Sequence, residues 1–283
     1  NLGPEGGYWQ VTNSVTGQLT SIGTVFIMHV LPTIIFFSAL MAVMYHIGLM
    51  QKIISGIARV MQKTMRTSGS ETLSCSANIF VGQTEAPFVI RPYLPTMTNS
   101  EIMAVMVGGF ATVAGGVMAA YVRFGIDAGH LLAASVMSAP AALVVAKIIL
   151  PEREVSPTQG SVTLRIPEEY ASVLDAAAGG ASVGLKLAAN VGAMLLAFIS
   201  LVAMVNYGLG FAHTSLGSIL GWAFSPFAWV MGVPWSEATS FGALLGTKIS
   251  VNEFLAYIQL ADIKTAGTMS PRSIVIATYA LCG

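Results

Sequence analysis

Charged side chains are scarce in this sequence: 13 basic and 13 acidic residues make up 9% of 283, against 54% hydrophobic residues. With a mean hydropathy of +0.73, that excludes an ordinary soluble domain, where about a quarter of residues are charged. The two signs cancel, so neither a nucleic-acid surface nor an acidic partner is indicated. Cysteine is nearly absent. Cys75 and Cys282 both lie in apolar context and make neither a disulfide framework nor a CxxC motif. His29, His46, His130 and His213 are scattered without metal-ligand spacing and read as packing or interfacial residues. Polar stretches are few: Asn1 to Thr20 reads as a Gly-rich loop, and Pro151 to Glu169 as a cytoplasmic link between two halves.

Apolar runs fill the remainder, and they imply an all-α integral membrane protein. Val25 to Met50 is long enough to span, about 20 residues being required, and Pro32 should kink it. Gln51 to Met65 alternates Lys52, Arg59 and Lys63 with isoleucines and suits the interface. The bases up to Arg66 place this side in the cytoplasm. Glu101 to Val122 reads as a span with Gly108, Thr112, Gly116 and Ala120 on one flat face, and Ala128 to Leu150 as a return. Ala171 to Leu187 reads as an amphipathic element, Ala188 to Leu209 as a span, and Thr214 to Trp235 as a second interfacial element. Lys147 and Lys186 lie near span ends, where they should snorkel. The 15 methionines read as apolar filler. Because the sequence opens on Asn1 and stops at Gly283 in mid-pattern, we read it as a fragment.

Within this apolar chain, Asn78-Ile79-Phe80-Val81-Gly82-Gln83-Thr84-Glu85-Ala86-Pro87 stands out. A carboxylate at bilayer depth costs several kcal/mol unless paired and is by default a functional-site hypothesis. Gln83, Thr84 and Glu85 cannot share a helical face, and Pro87 and Pro92 forbid one uninterrupted helix. The stretch from about 68 to 94 therefore reads as a re-entrant hairpin with an unwound polar tip, tolerated only where it lines a cavity or is buried in protein. A second hairpin, from about 236 to 263, carries Glu253. Interfacial helix, Glu-tipped hairpin and an Ala-Thr-x-Ala helix (Ala111-Thr112-Val113-Ala114, then Ala277-Thr278-Tyr279-Ala280) recur in the same order. Three intervening spans would invert the second copy. Inverted repeats, each with an interfacial helix, a re-entrant helical hairpin and a discontinuous transmembrane helix, describe secondary transporters. The expected division is 1–66, scaffold span plus interfacial helix; 67–150, first repeat; 151–213, linker and scaffold span; and 214–283, second repeat.

These motifs, with Arg91-Pro92-Tyr93-Leu94, Asn252-Glu253-Phe254-Leu255-Ala256-Tyr257 and Ala280-Leu281-Cys282-Gly283, resemble the concentrative nucleoside transporter family from Leu31 onward. The resemblance implies a homotrimer in the plasma membrane whose protomers combine a scaffold with a moving domain built from two hairpins. It implies nucleoside import by cation symport, with sodium or a proton as the coupling ion and a uridine-like substrate. Gln83 and Thr84 would hydrogen-bond the nucleobase, Glu85 would act through water, Glu253 would bind ribose hydroxyls, and Val117 would flank the base. Asn78 and Thr112 side chains, with the backbone carbonyls of Val81 and Val113, would form the sodium site. A further family stretch that supplies an Asn and a Ser to the ribose is expected just after Gly283.

The residue types agree with that chemistry. A neutral nucleoside needs amides and hydroxyls for its base edge and carboxylates for its ribose, and sodium needs oxygen ligands such as an unwound helix offers. Other readings use the same residues: Glu85 and Glu253 as half-helix caps or as the acid and base of an intramembrane enzyme, or the whole as a passive channel. Gly180-Ala181-Ser182-Val183-Gly184 fits a nucleophile elbow in pattern only, since no strand precedes it.

Overall fold

The computed structural model describes residues 10–12, 19–21, 30–83, 86–159 and 170–283. Two short strands, β1 (Gln10–Thr12) and β2 (Leu19–Ser21), pair antiparallel where the sequence suggested only loop. Among the described residues the α-helices are α1 (Leu31–His46), α2 (Leu49–Met65), α3 (Gly69–Asn78), α4 (Ala86–Val89), α5 (Asn99–Phe110), α6 (Gly115–Arg123), α7 (Ala128–Ile149), α8 (Val173–Gly210), α9 (Leu216–Val230), α10 (Trp235–Ser250), α11 (Glu253–Ala266) and α12 (Pro271–Leu281), with one 3-10 turn at Leu94–Thr96.

Among the described residues, three stretches, 99–123 taken as one, 128–149 and 173–210, are long and apolar enough to cross a membrane, and two bent helix pairs raise the number to five if each pair is one span. The protein is thus a multi-pass membrane protein. Large apolar side chains face outward, including Leu196, Tyr207, Phe211, Trp222 and Trp229, as lipid contact allows.

Several local expectations change. Pro32 does not kink a helix: it lies in the first turn of α1, where its missing N–H costs nothing. A left-handed Gly48, with φ +77°, then turns the chain by 79° into α2. That helix buries Met50, Ile54, Ala58 and Met61 on one face and leaves Lys52, Arg59 and Lys63 exposed. The elements foreseen as separate over 171–209 are one 38-residue helix, α8, about 57 Å long at 1.5 Å per residue. Gly180 and Gly184 lie inside it. They let α1 approach so closely that an added Cβ would lie 2.5 Å from Ala42 Cβ and 2.7 Å from Ser38 Cβ. The apparent nucleophile elbow is therefore a helix-packing surface.

The starts of α3 and α5 carry capping boxes, Ser68 with Glu71 and Thr98 with Glu101, and both glutamates are buried. Lys147, expected to snorkel, instead pairs with Glu71 at 2.7 Å and donates to Ser100 Oγ at 2.8 Å. The start of the polar link folds back rather than running free. Ser156 and Thr158 donate to Glu101 Oε1 at 2.5 and 2.8 Å. Outside the spans, Asp127 accepts the His130 N–H at the start of α7, which holds its carboxyl below the usual range.

The single spanning helix expected over Glu101 to Val122 is broken at 111–114. Its small-residue stripe is broken too. An added Cβ at Gly108 would meet Cys75 Sγ at 2.7 Å and one at Gly115 would meet the Phe80 carbonyl oxygen at 2.6 Å, but one at Gly116 meets nothing within 4 Å. The close approaches serve α3 and its hairpin tip.

Candidate functional site at two hairpin tips

The first hairpin consists of α3, a non-helical stretch from 79, and the short α4. Phe80 and Val81 N–H groups still bond back to Ala77 O at 3.0 Å each, closing α3. The tip then docks on the break between α5 and α6, where Gly115 N–H donates to Phe80 O at 3.1 Å. Beside that bond lies Asn78. It is fully buried, and among the described residues neither its Oδ1 nor its Nδ2 has a hydrogen-bond partner.

A buried amide without partners costs roughly 1–3 kcal/mol, so this position calls for a ligand. Asn78 Nδ2 lies 3.6 Å from where a Gly108 Cβ would be. Thr112, in the break, donates its hydroxyl to the carbonyl of that same Gly108 at 3.2 Å. Asn78 and Thr112 thus belong to one neighbourhood. Val113 is fully buried in the break, and Val81 is half-buried at the tip. Amide, hydroxyl and carbonyl oxygens are hard, neutral donors of the kind discontinuous helices present to sodium. The residues present therefore fit an alkali cation.

Gln83 is exposed at the tip and its Cβ lies 3.3 Å from where a Gly109 Cβ would be, so a small residue on α5 leaves it room. Thr84 and Glu85 lie outside the described residues. Val117 is half-buried on α6, one turn before Tyr121.

The second hairpin, α10 and α11, breaks only at Val251 and Asn252. Glu253 does not cap α11. Asn252 does so, its Oδ1 accepting Leu255 N–H at 2.8 Å. Glu253 Oε1 instead accepts the Tyr121 hydroxyl at 3.0 Å. Tyr121 stacks on Tyr257 with ring centroids 4.1 Å apart, and Phe254 meets Tyr121 edge-on at 5.4 Å. Tyr257 donates to Thr278 O at 2.8 Å. These aromatic groups fix the carboxylate from behind and join α6, α11 and α12.

The structure thus gathers Asn78, Val81, Thr112 and Val113 where the first hairpin meets the break, with Gln83 beside them, and sets Val117 and Glu253 around α6. Sequence reasoning missed Tyr121 and Lys248, and it quoted Asn252 within a motif without its capping role. Lys248 carried a usable signal: it is a charge in apolar sequence, the criterion that singled out the glutamates.

Residues 130–283 match the family described as Na+ dependent nucleoside transporter C-terminus, and residues 27–128 match one described as nucleoside recognition. The chain is 44% identical over 280 residues to sodium/nucleoside cotransporter 1 of Rattus norvegicus, covering 92% of this chain and 43% of that protein. It is 45% identical over 271 residues to nucleoside permease NupC of Helicobacter pylori, covering 92% and 64%. The solved structure of CNTnw in an inward-facing substrate-bound state superposes with a TM-score of 0.86 at 48% identity, covering 92% of this chain and 63% of that one. A variant of CNTnw in an outward-facing state gives 0.87 at 47%, covering 93% and 64%. The chain therefore spans from under half to about two thirds of the length of these relatives, and it belongs to the Na+ dependent nucleoside transporter family, a family of transporters rather than enzymes.

Proposed function

We propose that the protein imports nucleosides by symport with sodium, through alternating access of a domain that carries both hairpins. The observation that carries this reading is the buried, partnerless amide of Asn78 beside the broken helix. Asn78 Oδ1, Thr112 Oγ1 and the carbonyls of Val81 and Val113 hold the cation. Sodium's arrival satisfies Asn78 and steadies the tip bond from Gly115 to Phe80, so that Gln83, Thr84 and Glu85 are presented to the nucleobase. Val117 flanks the base, and Glu253, steadied by Tyr121, accepts from ribose hydroxyls. In this reading 67–150 and 214–283 move, while 1–66 and 151–213 form the scaffold. The outward-facing apolar side chains of α8 fit contact with lipid or with neighbouring protomers of a homotrimer.

Coupling of this kind is reciprocal: sodium tightens nucleoside binding by the factor by which nucleoside tightens sodium binding. Binding of labelled uridine to the purified full-length protein, with sodium replaced by choline, tests it. Affinity that rises with sodium supports the reading. Affinity that ignores sodium but follows pH would transfer the coupling to protons.

A further inference from the structure

Lys248 lies near the end of α10, just before the break of the second hairpin, and is half-buried. A lysine in such apolar surroundings is costly and is kept only for a partner. The carboxylate of Glu253 is close in sequence but is not that partner: among the described residues, ion pairs within 4.0 Å join Lys147 to Glu71 and to Glu152. Lys248 Nζ instead donates to the carbonyl of Ala280 at 2.9 Å and to that of Gly283. The Ala280 carbonyl belongs to the last turn of α12, which ends at Leu281, and Gly283 follows Cys282, which leaves helical geometry at φ −75°, ψ 105°. Terminal helix carbonyls lack helical donors and attract positive charge. An ammonium held by backbone carbonyls where a helix ends occupies a cation site.

The place has a counterpart. Asn78 precedes Ile79-Phe80-Val81, and Lys248 precedes Ile249-Ser250-Val251. Asn78 packs on Gly108 near the end of α5, and Lys248 bonds Ala280 near the end of α12. Each therefore sits where the first helix of a hairpin meets the end of the helix that follows that hairpin. One position holds a neutral amide with no partner among the described residues; the other holds a charge whose bonds are made.

We propose that Lys248 is a tethered cation that does permanently for the second hairpin what the mobile cation does for the first: it ties the tip, and with it Glu253, to the end of α12. Only the first hairpin then responds to ion concentration. The comparison with Asn78 rests on the function proposed above, whereas the tie made by Lys248 can be read without it.

The test is uridine affinity of the purified full-length protein across a sodium series, for the wild type, Lys248→Met and Lys248→Arg. Lys248→Met is expected to weaken binding about tenfold or more, as loss of a charged hydrogen bond does. The factor by which sodium tightens the remaining binding should be unchanged, and Lys248→Arg, which keeps the charge, should bind within about threefold of wild type. Wild-type affinity in Lys248→Met, or equal damage in Lys248→Arg and Lys248→Met, would overturn the proposal. If Lys248→Met yields no folded protein, Lys248→Arg decides: near-native binding upholds the tethered charge, and a tenfold loss removes it. Absence of any sodium effect in the wild type would strike the cation site at Asn78 instead, and the contrast between Met and Arg would still report on Lys248.

Discussion

The Tyr121 hydroxyl donates to Glu253 Oε1 at 3.0 Å, joining two residues 132 positions apart and linking the broken helix of the first half to the hairpin of the second. Tyr121→Phe keeps the ring stacked on Tyr257 and removes only this donor. A hydrogen bond to a charged group is worth about 1.5–3 kcal/mol, so uridine affinity measured by calorimetry should fall about tenfold or more while thermal stability changes little. Equal affinity would mean that the hydroxyl does not position the carboxylate.

Asn78→Leu separates stability from coupling. Because both polar atoms of Asn78 are buried without partners among the described residues, their removal should stabilise the sodium-free protein by about 1 kcal/mol. The same change should abolish the rise in melting temperature that sodium gives the wild type. Destabilisation without sodium, or a surviving sodium response, would argue against a cation at this position.

Gly115 and Gly116 are adjacent and predict opposite outcomes. A Cβ at Gly115 would lie 2.6 Å from the Phe80 carbonyl oxygen, whereas one at Gly116 meets nothing within 4 Å. Gly115→Ala must therefore push backbone from backbone, costing about 1–3 kcal/mol and displacing the hairpin tip. Melting curves and uridine affinity should both drop for Gly115→Ala and remain near wild type for Gly116→Ala.

Much of this arrangement was legible in the sequence, because the chemistry forced it. A polar run ending in prolines within apolar sequence has few solutions other than a hairpin, and Asn252-Glu253 marked the second tip. Less legible was whatever depends on contacts between distant segments. Gly108 and Thr112 lie on one face of an ideal helix, so periodicity favoured a continuous span; the docking of Phe80 on Gly115 favours the break. Gly180 and Gly184 fitted a nucleophile-elbow pattern in the sequence, and only their contact with α1 gives them a packing role. Lys147 could not be matched to Glu71 from spacing, since 76 residues separate them.

That ion pair gives a prediction independent of transport. Glu71 is buried and Lys147 is its charged partner at 2.7 Å. Lys147→Ala strands a buried carboxylate and should cost about 3 kcal/mol or more. The double variant Lys147→Met with Glu71→Gln should recover part of that loss in denaturation experiments, and the sodium dependence of uridine binding should be unaltered in it. A double variant no better than Lys147→Ala would show that the pair's geometry, not its charge balance, holds the base of the hairpin.

In the function proposed above, a carboxylate and a cation site at two hairpin tips couple nucleoside uptake to sodium. Proteoliposomes containing the full-length protein should accumulate labelled uridine above equilibrium under an inward sodium gradient, and the Glu253→Gln variant should not. Equilibration without accumulation, or accumulation that persists when sodium is replaced by choline, would contradict the account.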